Sequence, residues 1–286
     1  MTTTNHRTVI IFDTEYTSWE GSLQRGWSEP WEHRELVQIA AVRTVETAAG
    51  FEAVECQLPY GEEADMIANE LRTHRLRLIL FNLPVGEWEA GERGIACHPD
   101  RVEEFRAGVT KALAYAKALD CPSLNCLAGL LPPEVTVAEA RRTLLANLTY
   151  AAEAAAAFGR AVMVEPINGH DVPGYFVCRA DEVALAIREV GAPNLRLQLD
   201  LYHTVREGDD FVRIVEQHGP LIGHVQIADV PGRHEPGTGG LDFSAAFAAL
   251  ERAGYPGWVG CEYNPRGATI DGLDWQTPYL TARRMT

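Results

Sequence analysis

The chain has 286 residues, about 1.9 times an average domain, which allows one or two domains and leaves a single large α/β barrel open. Hydrophobic residues make up 46% and charged residues 23%, too apolar for a disordered chain. With 25 Lys and Arg against 40 Asp and Glu, the net charge of −15 repels phosphate backbones and anionic lipid, so nucleic-acid and membrane-surface partners are disfavoured.

No long apolar segment follows Met1, so no signal peptide is expected. The first apolar run, residues 8–12, is a strand candidate, and residues 35–49 are its candidate helix, although 36–42 also read as a strand. Between them lies a polar stretch with three of the six tryptophans, Trp19, Trp27 and Trp31. From residue 51 onward the pattern is regular. Short apolar runs at 53–55, 76–81, 124–127, 162–164, 195–199, 222–227 and 258–261 alternate with helical periods at 62–73, 101–119, 137–158, 181–190, 208–217 and 243–253. Apolar strands followed by amphipathic helices indicate a parallel sheet buried on both faces. Eight such units predict one α/β domain over 1–286, a closed (β/α)8 TIM barrel with an atypical first unit. The six cysteines are scattered and read as free thiols of a reducing cytoplasm, so the expected location is cytoplasmic.

In such a barrel the residues at the C-terminal ends of the strands line the active site. Those ends carry Glu165, Asp200, Gln226 and Glu262 on four successive strands. A single acid after a strand is most often a helix cap, but four oxygen donors on consecutive strands converge on one rim. Three carboxylates and an amide oxygen suit a hard divalent cation, Mg²⁺ or Mn²⁺. Glu165 and Glu262 then flank a substrate, one removing a proton and the other delivering it. His203 falls about one turn beyond Asp200, within reach of a substrate oxygen or as a structural histidine. No Ser or Cys nucleophile with a paired base stands out, and the Gly237-Thr-Gly-Gly240 segment reads as a flexible turn.

Residues 51–286 resemble the hydroxypyruvate isomerase family of xylose-isomerase-like barrels. The resemblance is carried by Phe51-Glu-Ala-Val-Glu-Cys-Gln-Leu-Pro-Tyr60, Ala90-Gly-Glu-Arg-Gly-Ile-Ala-Cys97 and Val164-Glu-Pro-Ile-Asn168. It continues through Gln198-Leu-Asp-Leu-Tyr-His203, Gly223-His-Val-Gln-Ile-Ala-Asp-Val-Pro231, His234-Glu-Pro-Gly-Thr-Gly239 and Gly257-Trp-Val-Gly-Cys-Glu-Tyr263. It implies catalytic Glu165 and Glu262, and a divalent metal, Mg²⁺ by first expectation, held by Glu165, Asp200, Gln226 and Glu262. The implied reaction interconverts hydroxypyruvate and tartronate semialdehyde through an enediol. The expected partner is therefore a small hydroxy-oxo acid, contacted by His203 and by Arg233, which also reads as a solvated loop arginine. A homo-oligomer stays open.

Two departures stand out. Gly240 replaces the acidic residue that usually follows the Gly-Thr-Gly turn, with Asp242 as a candidate substitute two positions on. Residues 1–44 resemble instead the opening of a DEDD-type 3′–5′ exonuclease, Val9-Ile-Ile-Phe-Asp-Thr-Glu15 followed by Glu35-Leu-Val-Gln-Ile-Ala-Ala-Val42, with Asp13 and Glu15 as its metal pair. Nothing after residue 50 continues that pattern, so the chain reads as a chimera joined near residues 45–50. The alternatives are a related 2-oxo-tetronate or sugar isomerase, an inactive barrel, and, disfavoured by the charge, an exonuclease.

Overall fold

A computed structural model describes residues 7–11, 51–267 and 269–276. Asp13, Glu15, the three early tryptophans and the helix expected over 35–49 lie outside the described residues. Eight parallel strands form a closed barrel in sequence order: β1 Arg7–Ile11, β2 Ala53–Cys56, β3 Arg77–Asn82, β4 Ser123–Cys126, β5 Ala161–Val164, β6 Leu195–Asp200, β7 Ile222–Ile227 and β8 Trp258–Cys261. The first strand closes the ring, pairing with β8 from Arg7↔Trp258 to Ile10↔Cys261 and with β2 at Ile10↔Val54 and Ile11↔Glu55. The divergent opening sequence therefore supplies the strand that leaves β2 and β8 without an open edge.

Among the described residues, helices follow the strands: α1 Ala64–His74, α2 Val102–Ala118, α3 Val137–Ala156, α4 Ala180–Val190, α5 Leu201–Arg206, α6 Phe211–His218 and α7 Phe243–Arg252, all but α5 where an apolar period requires one. In α3 a capping box of Thr136 and Glu139 starts the helix, and Ala140, Leu144, Leu148, Ala151, Ala152 and Ala155 form its buried stripe. The sequence pattern missed α5. This one-and-a-half-turn helix follows β6 directly, too short to display a period. Asp242, the candidate substitute in the turn before α7, instead caps that helix by accepting from Ala245 N at 3.0 Å.

The apolar core is divided. One large cluster fills the layer between strands and helices, and a second, Ala53, Ile79, Leu80 and Met163, packs with Ala161 and Trp258 inside the barrel. Ala53, Ala161 and Trp258 open their strands, so this plug fills the end opposite the strand termini that matter for chemistry. Gly223 makes room for it: a Cβ there would meet Met163 Sδ and Arg196 Cβ, each at 2.6 Å. All six cysteines are free, and burial pushes the thiols of Cys97, Cys121 and Cys126 up to about 12. No helix among the described residues is long and apolar enough to cross a membrane.

Candidate active site

Four of the predicted residues sit at the C-terminal ends of β5 to β8. Glu165 directly follows β5, Asp200 ends β6, Gln226 lies beside it on β7, and Glu262 follows β8. All four are buried, Glu165 to 5% exposure and Asp200 to 1%. Glu165, Asp200 and His203 each offer a ligand atom, and the three atoms lie within 4.8 Å of one another, a group able to hold a divalent metal.

Asp200 performs two tasks at once. Its Oδ1 accepts from Tyr202 N at 2.7 Å and so caps α5, while Oδ2 is buried without a hydrogen-bond partner and lies 3.7 Å from His203 Nε2. The cap and the candidate ligand are thus two oxygens of one carboxylate. Burial raises Asp200 above its ordinary range, against Arg233 and the α5 backbone N–H groups, which lower it.

Glu165 is pushed well above the usual carboxylate range, first by burial and then by the charges of Glu262 and Asp200. Asn125 Nδ2 donates to Glu165 Oε2 at 2.9 Å and to Asn82 Oδ1 at 3.0 Å. Glu262 is differently placed. Its Oε2 pairs with Arg233 Nη2 at 2.8 Å and its Oε1 accepts from Gln57 Nε2 at 3.2 Å. The same guanidinium nitrogen lies 3.5 Å from Asp200 Oδ2, so Arg233 bridges the two carboxylates across the rim. It is no solvated loop arginine: its side chain is 23% exposed and stands 5.2 Å from the Tyr202 ring.

Gln226 is drawn toward the floor. Its Oε1 accepts from Gln198 Nε2 at 2.7 Å, and its Nε2 donates to Glu55 Oε2 at 2.9 Å across the barrel. His224 Nε2 faces the other Glu55 oxygen at 2.7 Å. His203 lies within α5 rather than capping it, and burial first, then Arg233, lowers its imidazole well below the ordinary value.

The loop that delivers Arg233 is ordered around a buried carboxylate. Asp229 Oδ2 accepts from Gly237 N at 2.9 Å and Gly239 N at 2.8 Å, and Oδ1 accepts from Val230 N at 2.9 Å and Leu241 N at 3.2 Å. The Gly-Thr-Gly turn is therefore the wall of a carboxylate nest rather than a flexible turn. A Cβ on Gly239 would meet Val230 O at 1.9 Å and Asp229 Oδ1 at 2.6 Å. Gly239→Ala is accordingly expected to displace Arg233 and lower kcat/KM about 10²-fold, as roughly 1 Å of misplacement can, with secondary structure retained. Steady-state kinetics beside circular dichroism checks this, and wild-type kcat/KM would remove the loop from the site.

Asn125, Gln57 and Glu55 escaped sequence reading. Each is a polar residue in or just after an apolar strand of the barrel's earlier half; Glu55 and Gln57 also fall within the stretch 51–60 that carries the family resemblance, which singled out neither.

A closed parallel barrel with buried carboxylates, an imidazole and a guanidinium gathered at its C-terminal rim defines a TIM-barrel enzyme acting on a small polar molecule. The chain belongs to the xylose isomerase-like TIM barrel family, whose model matches residues 43–279. It is 44% identical over 250 residues to 2-oxo-tetronate isomerase of Cupriavidus necator, covering 87% of this chain and 94% of that one. It is 42% identical over 230 residues to hydroxypyruvate isomerase of Escherichia coli, covering 80% and 89%. A crystal structure described as AP endonuclease, family 2 from Brucella melitensis superposes with a TM-score of 0.85 at 40% identity, over 96% of this chain and 99% of that one.

Proposed function

We propose that this isomerase interconverts hydroxypyruvate and tartronate semialdehyde, with Glu165 and Glu262 as proton carriers. The observation that supports this best is the contrast between the two carboxylates. Glu165 is buried and raised by its neighbours' charges, whereas Glu262 faces a guanidinium and an amide N–H. Two carboxylates in divergent surroundings suit acid and base roles in one reaction.

In the forward direction one carboxylate removes a proton from C3 of hydroxypyruvate, and the electron pair forms the C2–C3 double bond of an enediolate. The other carboxylate delivers a proton to C2. The proton of the C3 hydroxyl is lost as that carbon becomes the aldehyde, and the C2 oxygen gains one as it becomes the hydroxyl, so the formula is unchanged. Arg233 is suited to the substrate carboxylate and His203 to a substrate oxygen.

The carboxylates fit a divalent cation, Mg²⁺ or Mn²⁺: three buried ones repel one another, and Asp200 Oδ2 has no hydrogen-bond partner, so Glu165, Asp200 and Glu262 would hold the ion, with Gln226 joining them by turning its Oε1 from Gln198. Such an ion supplies Lewis acidity at the carbonyl. The six free thiols suit a reducing cytoplasm.

The 44% identical relative favours a second reading, isomerisation of a 2-oxo-tetronate by the same two glutamates. Both substrates, assayed in parallel, separate the readings. We expect kcat/KM on hydroxypyruvate to exceed that on the four-carbon acid at least tenfold, since one extra substituent in a fitted pocket is worth about 10–200-fold. The reverse ratio assigns the longer substrate.

A further inference from the structure

Distance alone would admit His203 to a metal's ligand shell beside Glu165 and Asp200. The far side of the ring argues against it. His203 Nδ1 faces two groups of Asn168, side-chain Nδ2 at 2.6 Å and backbone N at 3.4 Å. A backbone N–H only donates. The amide orientation is fixed as well, because Asn168 Oδ1 accepts from Asp171 N at 2.9 Å while Nδ2 donates to Asp171 Oδ2 at 3.0 Å. Turning the amide round would set N–H against N–H and oxygen against carboxylate. Nδ1 is therefore the acceptor, and the single proton of the neutral ring belongs to Nε2, the atom on the Asp200 side. A protonated ring nitrogen has no lone pair for a metal.

We propose that Asp171, acting through Asn168, is a positioning residue that fixes His203 as its Nε2–H tautomer, so that the imidazole donates to a substrate oxygen and stays out of the metal's ligand shell. The Asp171 carboxylate also accepts from Tyr202 Oη at 2.8 Å and Arg206 Nη2 at 3.2 Å. Both belong to α5, the helix that carries His203. One side chain thus ties the loop after β5 to the helix after β6 and sets the ring's proton between them. The donor role rests on the isomerase reading given above; the tautomer does not.

The test is ring ¹⁵N NMR of the full chain, first without added metal and then with saturating Mg²⁺. His203→Asn identifies the resonance among nine histidines. The expected signature is a protonated Nε2 and a bare Nδ1, unchanged by Mg²⁺. A protonated Nδ1, or an Nε2 that loses its proton when Mg²⁺ is added, overturns the proposal. Asp171→Asn is expected to mix the two tautomers and to lower kcat about tenfold with KM within about twofold, the pattern of lost transition-state contacts. An unchanged tautomer in that variant refutes the role of Asp171. Absence of turnover on either oxo acid refutes the isomerase reading while leaving the NMR result standing.

Discussion

Glu165→Gln lowers kcat by about 10²–10⁴-fold, the usual contribution of a positioned acid or base, and stabilises the metal-free protein at pH 8. The two effects share one cause. The carboxyl is buried and repelled by Glu262 and Asp200, so holding charge there, or a proton at alkaline pH, costs folding free energy. Glutamine keeps the shape and an oxygen to accept from Asn125 Nδ2, but carries no charge and moves no proton. Glu262→Gln gives the same loss of kcat with the opposite stability change, because it removes the 2.8 Å ion pair to Arg233 and leaves the longer, 3.5 Å approach of that guanidinium to Asp200. Kinetics paired with calorimetry in chelator reads both quantities. A kcat within about threefold of wild type for either variant removes that residue from the reaction. Melting points that move in the same direction overturn the account of two different environments.

The contrast between these glutamates was legible in sequence only as position. Three acids and one glutamine at the ends of four successive apolar runs were enough to locate the rim, because a parallel barrel turns every strand's C-terminal end to the same side. What they touch was not legible. Among the partners of Glu165 and Glu262 are Asn125, on β4, and Gln57, just after β2; neither is an acid, and the resemblance over 51–60 assigned Gln57 no role. Closure brings them together over sequence separations of 40 and 205 residues. Arg233 shows the same limit. Nothing local distinguishes it from a surface arginine, and only the nest around Asp229 aims its loop inward. Asp200 shows a different one, since helix cap and ligand are read as rivals from one letter, although a carboxylate has two oxygens and here only one of them is taken by the cap. The first strand was legible as an apolar run alone, and that sufficed for Arg7–Ile11 to close the ring despite its divergent neighbours.

Mg²⁺ or Mn²⁺ raises the melting temperature of chelator-treated protein, and does so more at pH 8 than at pH 5. The folded-state values of Glu165 and Asp200 both lie above their ordinary ones. Such groups contribute stability that is fully present below the unfolded-state carboxylate range and is lost as pH rises through the raised folded values. The metal-free protein therefore weakens on the alkaline side, where the rim holds its carboxylates charged and crowded. Deprotonated carboxylates are the form suited to a cation, so metal affinity is expected to grow over the same pH span. At a hundred times its Kd the ion stabilises by about 2.7 kcal/mol, which at roughly 2–4 °C per kcal/mol is a shift of several degrees. Glu165→Gln flattens the dependence, since it removes one ligand charge and one repelled carboxyl together. A melting temperature indifferent to either ion at pH 8 would overturn a cation at this rim, and one raised equally at pH 5 would break the link between metal binding and the charge of Glu165 and Asp200.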